Sequence, residues 1–129
     1  MKRVGMLALA SVMSVGMMTA ALGHAAALKV AMVVAGALGD RSVYDSANDG
    51  LTRAAQALGA ETNIFECHGE PAAFSKQIIA AAQGSAVVLT VGWELVDPLL
   101  EIAPTFPSVK FIQIDAAIEG VANVSSIEY

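Results

Sequence analysis

Three aspartates and two aromatic residues are the side chains best suited to chemistry with a small molecule: Asp40, Asp45 and Asp115, with Tyr44 and Trp93. A carboxylate accepts hydrogen bonds from hydroxyl or ring N–H groups, and a flat aromatic face stacks on a flat apolar ligand. Small-molecule pockets combine these two elements. Each residue also has a purely structural reading. Asp40 can close a loop, Asp115 can end a strand and Trp93 can cover the core, so the residue types alone leave the matter open.

Other chemistries find less support. Nucleophilic catalysis needs a base within reach of the nucleophile. His68 is the one histidine beyond the first 27 residues, and no G-x-S-x-G turn accompanies it. Cys67 and His68 are neighbours in an extended segment, which turns them to opposite faces. No enzyme activity is expected. Glu66, Cys67, His68 and Glu70 are donor types, but their spacing fits no zinc motif. Gly36, Gly39 and Gly50 do not form G-x-G-x-x-G, and Asp40 and Asp45 would repel a pyrophosphate. No metal or other cofactor is therefore expected. Asn123-Val124-Ser125 is a glycosylation triplet of a kind common by chance.

The amino terminus has the order of an export signal. Lys2 and Arg3 precede an uncharged apolar run, Val4 to Leu22, and small residues follow from Gly23 to Ala27. Cleavage is expected near Ala25 to Ala27, giving a signal peptide over 1–27, with an uncleaved anchor as the alternative. Of the 7 basic and 12 acidic residues, cleavage removes only Lys2 and Arg3, so the remainder is markedly acidic. Nucleic acid and anionic membrane surfaces attract positive patches and are not expected partners. Cys67 is the only cysteine, so no internal disulfide can form. Its distance from the cleavage region excludes a lipid anchor there, so no stable membrane insertion is expected after cleavage.

These candidate residues need a scaffold, and residues 28–129 suffice for one domain. Apolar runs alternate with helical spacing, as in stacked βαβ units. Strands are predicted at Leu28–Val34, Glu61–Glu66, Ala86–Val91, Val109–Ile114 and Asn123–Glu128, the second nearer a sheet edge. Helices are predicted at Val43–Leu58, Ala72–Gln83 and Glu94–Ala103. Ser42 is expected to cap the first helix and Gly59 to stop it. Its buried side is expected to carry Ala47, Leu51, Ala54, Ala55 and Leu58. The fold class is α/β, a doubly wound open parallel sheet. Ligands bind such sheets at the carboxyl ends of the strands, which selects Gly36 to Asp45, Cys67 to Glu70, Gly92 to Glu94 and Asp115 to Ala117.

Several segments resemble one family. Leu28-Lys29-Val30-Ala31-Met32-Val33-Val34, then Gly39-Asp40-Arg41-Ser42 and Asp49-Gly50-Leu51, resemble the opening strand and loop-to-helix turn of the basic membrane protein family. Val91-Gly92-Trp93-Glu94-Leu95-Val96-Asp97-Pro98 is similar to its G-aromatic segment, and Phe106-Pro107-Ser108-Val109-Lys110-Phe111-Ile112-Gln113-Ile114-Asp115 to its F-P-x-[VK]-K-F-x-x-I-D. The family comprises nucleoside-binding receptors of ABC importers.

The resemblance implies the amino-terminal lobe of a type I periplasmic binding protein and a soluble periplasmic location. It also implies a nucleoside-like ligand and an ABC permease in the inner membrane as partners. Ligand-binding roles follow for Asp40, Ser42, Gly92, Trp93 and Asp115, with Tyr44 and Asp45 at the same rim. Where the family has an aromatic followed by Asn-Gln or similar residues, this chain has Val43-Tyr44-Asp45, which displaces the stacking side chain by one. Tyr44 can substitute, or the ligand is not a purine nucleoside. The family closes two lobes on its ligand, and this chain stops near the crossover, so a fragment of a longer protein is expected. The alternative is a secreted single-domain protein acting through protein contacts.

Overall fold

A computed structural model describes residues 25–128. The apolar run Val4 to Leu22 lies outside the described residues. Ala25 to Leu28 are exposed and irregular. No helix among the described residues is long and apolar enough to cross a membrane.

The elements alternate as predicted: β1 (Lys29–Val34), α1 (Val43–Leu58), β2 (Glu61–Glu66), α2 (Pro71–Gly84), β3 (Val87–Val91), α3 (Val96–Ile102), β4 (Lys110–Ile114) and β5 (Val124–Ile127). The strands form one wholly parallel sheet in the order β2-β1-β3-β4-β5. β1 lies inside the sheet and β2 at its edge. That is why β1 is a continuous apolar run and β2 carries Glu61, Thr62 and Asn63 in exposed positions.

Side-chain alternation along β1 builds a core on each face. Ala31 and Val33 join Ile78, Leu99 and Phe111 on the side of α2 and α3. Val30, Met32 and Val34 join Leu51, Val91 and Ile114 on the side of α1. The second face is less fully covered. Leu89, Ile112 and Leu58 line an apolar groove of about 420 Å³ beside α1. Leu58, expected in the core, is 69 % exposed, and Ala54 is exposed as well. The spacing puts them on the right side of the helix, but among the described residues nothing packs beyond them.

Gly59 ends α1 in the left-handed conformation (φ 63°), and the Ala60 N–H donates to the Ala55 carbonyl at 3.0 Å. The predicted third helix is divided. Trp93–Leu95 forms a 3₁₀ turn, α3 runs from Val96, and Ala103–Thr105 forms a second 3₁₀ turn. Pro98, which has no N–H to donate, falls in the first turn of α3, where that donor would be unpaired anyway.

Two polar side chains, Thr90 and Gln113, are wholly buried, and they satisfy each other and the backbone. The Thr90 hydroxyl donates to Gln113 Oε1 at 2.6 Å, and Gln113 Nε2 donates to the carbonyls of Gly92 and Ile114, each at 2.9 Å. Asn123, the glycosylation triplet's asparagine, directs its amide nitrogen at the carbonyls of Ala103, Phe106 and Val109 at 2.8 to 3.0 Å. In the fold it fastens β5 to the turn before β4.

Candidate functional site

The crevice lies where the strand order reverses. β1 and β3 are neighbours, but the chain leaves β1 toward β2 and leaves β3 toward β4, so the loops after β1 and β3 part and leave a gap. A cleft of about 230 Å³ occupies the gap, lined by Asp40, Val43, Tyr44, Gly92, Trp93, Glu94 and Asp115. The apolar groove beside α1 and an open hollow at the amino ends of β1 and β2 have larger volumes. Neither collects loops from the carboxyl ends of several strands.

The loop after β1 is shaped by two carboxylates that face each other's backbone. Asp40 Oδ1 accepts from the N–H groups of Ser42 (2.9 Å) and Asp45 (3.2 Å), and Oδ2 accepts from Tyr44 (3.1 Å). Asp45 reaches back, taking the N–H of Gly39 at 2.7 Å and of Arg41 at 2.9 Å. Ser42 makes no side-chain cap bond. The expected capping role therefore belongs to Asp40, because its carboxylate already occupies the free N–H groups that the Ser42 hydroxyl would need. Desolvation pushes the Asp40 carboxyl up, but the three N–H groups outweigh it and hold the carboxyl below the usual aspartate range.

Tyr44 crosses from this loop toward β3. Its ring lies on Gly36, where an added Cβ would come within 2.5 Å of the ring edge, so only glycine lets it settle. Burial raises the Tyr44 phenol, the Glu94 carboxylate adds to the rise, a bond with Gly36 opposes it, and Asp40 and Asp115 add more. Trp93 stands 68 % exposed on the opposite lip. An indole so exposed covers no core, contrary to its structural reading.

Gly92 turns the chain with φ 116°, and a Cβ there would meet Glu94 Oε2 at 2.8 Å and the Ala35 Cβ at 3.0 Å. Asp115 ends β4 with φ 79°, and its N–H donates to the Ile127 carbonyl at 3.0 Å. Arg41 and His68 are likewise left-handed, at φ 52° and 53°. β2, β3 and β4 thus each leave the sheet within two residues of a left-handed residue, and the longer loop after β1 contains Gly39 and Arg41, the kind of backbone that collects at functional sites.

Of the seven residues singled out in the sequence, Asp40, Tyr44, Gly92, Trp93 and Asp115 meet at the cleft. Ser42 and Asp45 do not line it, and Asp45 is turned into the loop. Val43 and Glu94 line it without having been singled out individually. Glu94 follows Gly92-Trp93 directly, and that adjacency was the available signal. The second donor group does not assemble. Cys67 is 1 % exposed, and burial pushes its thiol up to about 11. His68 stays outside, 3.9 Å from Glu66, whose other oxygen takes the Leu38 N–H. Among the described residues no group of three or more potential ligands could hold a metal ion.

A parallel five-stranded α/β sheet with its crevice at the strand order's reversal defines a lobe of the periplasmic-binding-protein kind. The solved structures it resembles have this fold. A solute-binding protein of an ABC transporter system from Aeropyrum pernix shares 30 % identity (TM-score 0.70), over 77 % of this chain and 28 % of that one. A second, from Conexibacter woesei, shares 27 % identity (TM-score 0.65), over 78 % of this chain and 34 % of its own. A putative lipoprotein fragment from Peptoclostridium difficile matches in fold at TM-score 0.70 and 24 % identity, covering 78 % of this chain and 84 % of that one. No curated protein matches the sequence. Residues 27–129 match the Bmp family, described as ABC transporter substrate-binding protein PnrA-like, and the chain belongs to that family. It spans about a third or less of the two solute-binding proteins.

Proposed function

We propose that this chain forms the amino-terminal ligand-binding lobe of an ABC importer's substrate-binding protein, and that the cleft between Tyr44 and Trp93 takes a nucleoside-like molecule. The observation that carries this reading is the meeting of two aromatic residues and the carboxylates of Glu94 and Asp115 at the crevice of an open parallel sheet. The aromatic faces suit a flat ring, and the carboxylates suit its donor groups.

The cleft volume of about 230 Å³ falls below the roughly 300–1,000 Å³ of complete ligand pockets. That supports one wall of a site closed by a second lobe, with binding to this lobe alone weak. Export through the segment 1–27, a periplasmic location, domain limits at 28–129 and delivery to an inner-membrane permease complete the reading. None of it requires a catalysed reaction.

The test is a ¹H–¹⁵N NMR titration of the chain with nucleosides and, in parallel, with simple sugars. The expected result is saturable shifts at Gly92, Trp93, Glu94 and Asp115 with nucleosides. Shifts with no ligand, or only at residues remote from the cleft, sink the proposal.

A further inference from the structure

We infer that Glu94 is a specificity-determining residue of this cleft, whose carboxylate accepts a hydrogen bond from an amino group on the edge of the ligand's ring. The inference rests on the reading of the cleft as a nucleoside-like site. Glu94 Oε2 is shut off from solvent and has no hydrogen-bond partner, alone among buried side-chain polar atoms of the described residues. A carboxylate oxygen in that position needs a donor.

Its neighbours supply none. The backbone at Gly92 and the Ala35 methyl close one side. The Tyr44 phenol stands beside the same glycine but makes no hydrogen bond with Glu94 Oε2, and no lysine or arginine lines the cleft. Asp40, by contrast, is saturated with three backbone N–H groups. Glu94 belongs to a cleft-lining 3₁₀ turn and is itself part-exposed. Rotating its carboxylate into the cleft therefore breaks no hydrogen bond.

Ring position follows from the aromatic residues. A flat ring held against Tyr44 or Trp93 presents its edge to the residue next to Trp93, and a carboxylate favours N–H donors there through charge-assisted bonds. A phosphate at that edge would face Glu94 and Asp115 with no cation to offset them.

The experiment compares adenosine with purine riboside, the same nucleoside without its amino group, by NMR titration of the wild-type chain, Glu94→Met and Glu94→Gln. The wild type is expected to prefer adenosine about tenfold, as a site with an unpaired buried acceptor rejects a ligand lacking the donor. Glu94→Met, similar in volume but without an acceptor, should bind both equally. Glu94→Gln, which keeps an acceptor oxygen, should retain a reduced preference. Equal binding of the two ligands by the wild type, or a preference surviving in Glu94→Met, overturns the role of Glu94 alone. Binding of neither nucleoside overturns that role and the nucleoside reading together.

Discussion

The side-chain amide of Gln113 donates to the carbonyl of Gly92 at 2.9 Å, tying the end of β4 to the turn that follows β3. The same side chain accepts from Thr90 and donates to the Ile114 carbonyl. One buried residue thus fixes the relative positions of Gly92 and Asp115, which stand on different strands but line one cleft. Gln113→Leu keeps the volume and strands the Thr90 hydroxyl, at about 1–3 kcal/mol for the unpaired group, while the Gly92 carbonyl keeps only the Leu95 N–H at 3.2 Å. Urea denaturation should show that loss. Thr90→Val with Gln113→Leu should cost less than the two single changes added, because the hydroxyl left unpaired by one is removed by the other.

Asp40 should govern the start of α1 more than Ser42 does. Asp40→Ala frees the N–H groups of Ser42, Tyr44 and Asp45, and their hydrogen exchange should quicken on the order of tenfold, while Ser42→Ala leaves it nearly unchanged. The Asp40 carboxyl is lowered in the folded chain. Its contribution is therefore complete above the unfolded aspartate value near 4 and disappears as pH falls through the lowered folded value. Exchange at these three amides, followed from pH 5 to pH 2, should lose its Asp40-dependent protection across that acid range.

Gly92 is constrained by both backbone and space. Gly92→Ala strains the φ of 116° and drives a methyl to within 2.8 Å of Glu94 Oε2. A destabilisation of about 1–3 kcal/mol is expected from the backbone alone. Ligand-induced NMR shifts at Trp93 should vanish even at temperatures where the variant stays folded.

Trp93 should show the opposite pattern. Being 68 % exposed, its replacement by alanine should change stability by less than about 0.5 kcal/mol in thermal unfolding. Nucleoside binding should weaken by about tenfold, in line with the ~1–3 kcal/mol of base–aromatic stacking.

Cys67 should be inert as long as the chain is folded. With its thiol at about 11 and 1 % exposure, it should react with a disulfide reagent at pH 8 only after denaturant is added. The raised value means that its contribution to stability is full below about 9 and lost as pH rises toward 11. Cys67→Ala should flatten that alkaline limb in pH-dependent unfolding.

The strands were legible because β1 reads as an unbroken apolar run and β3 and β4 are predominantly apolar, while β2 carries the polar residues of an edge. The crevice followed from topology alone. What the sequence concealed was the direction of individual side chains. Asp40, Ser42 and Asp45 are all residue types suited to a helix start, and only the fold of the loop decides that Asp40 takes the N–H groups at the start of α1 while Asp45 reaches back to those of Gly39 and Arg41. Gln113 reads as a polar break in β4, since its partners Thr90 and Gly92 lie 23 and 21 residues away. Leu58 failed for another reason: periodicity gives the face of a helix but not whether anything covers its last turn.

Left-handed residues in the loops that form the crevice also bear on how such a lobe can diverge. Gly39, Gly92 and Asp115 hold φ values of 91°, 116° and 79°, which most side chains cannot adopt without strain. Substitutions that reshape the crevice backbone are therefore costly. Substitutions at Tyr44, Trp93 or Glu94 leave it as it is. Descendants of this lobe can change what they recognise one side chain at a time, on walls that keep their contour.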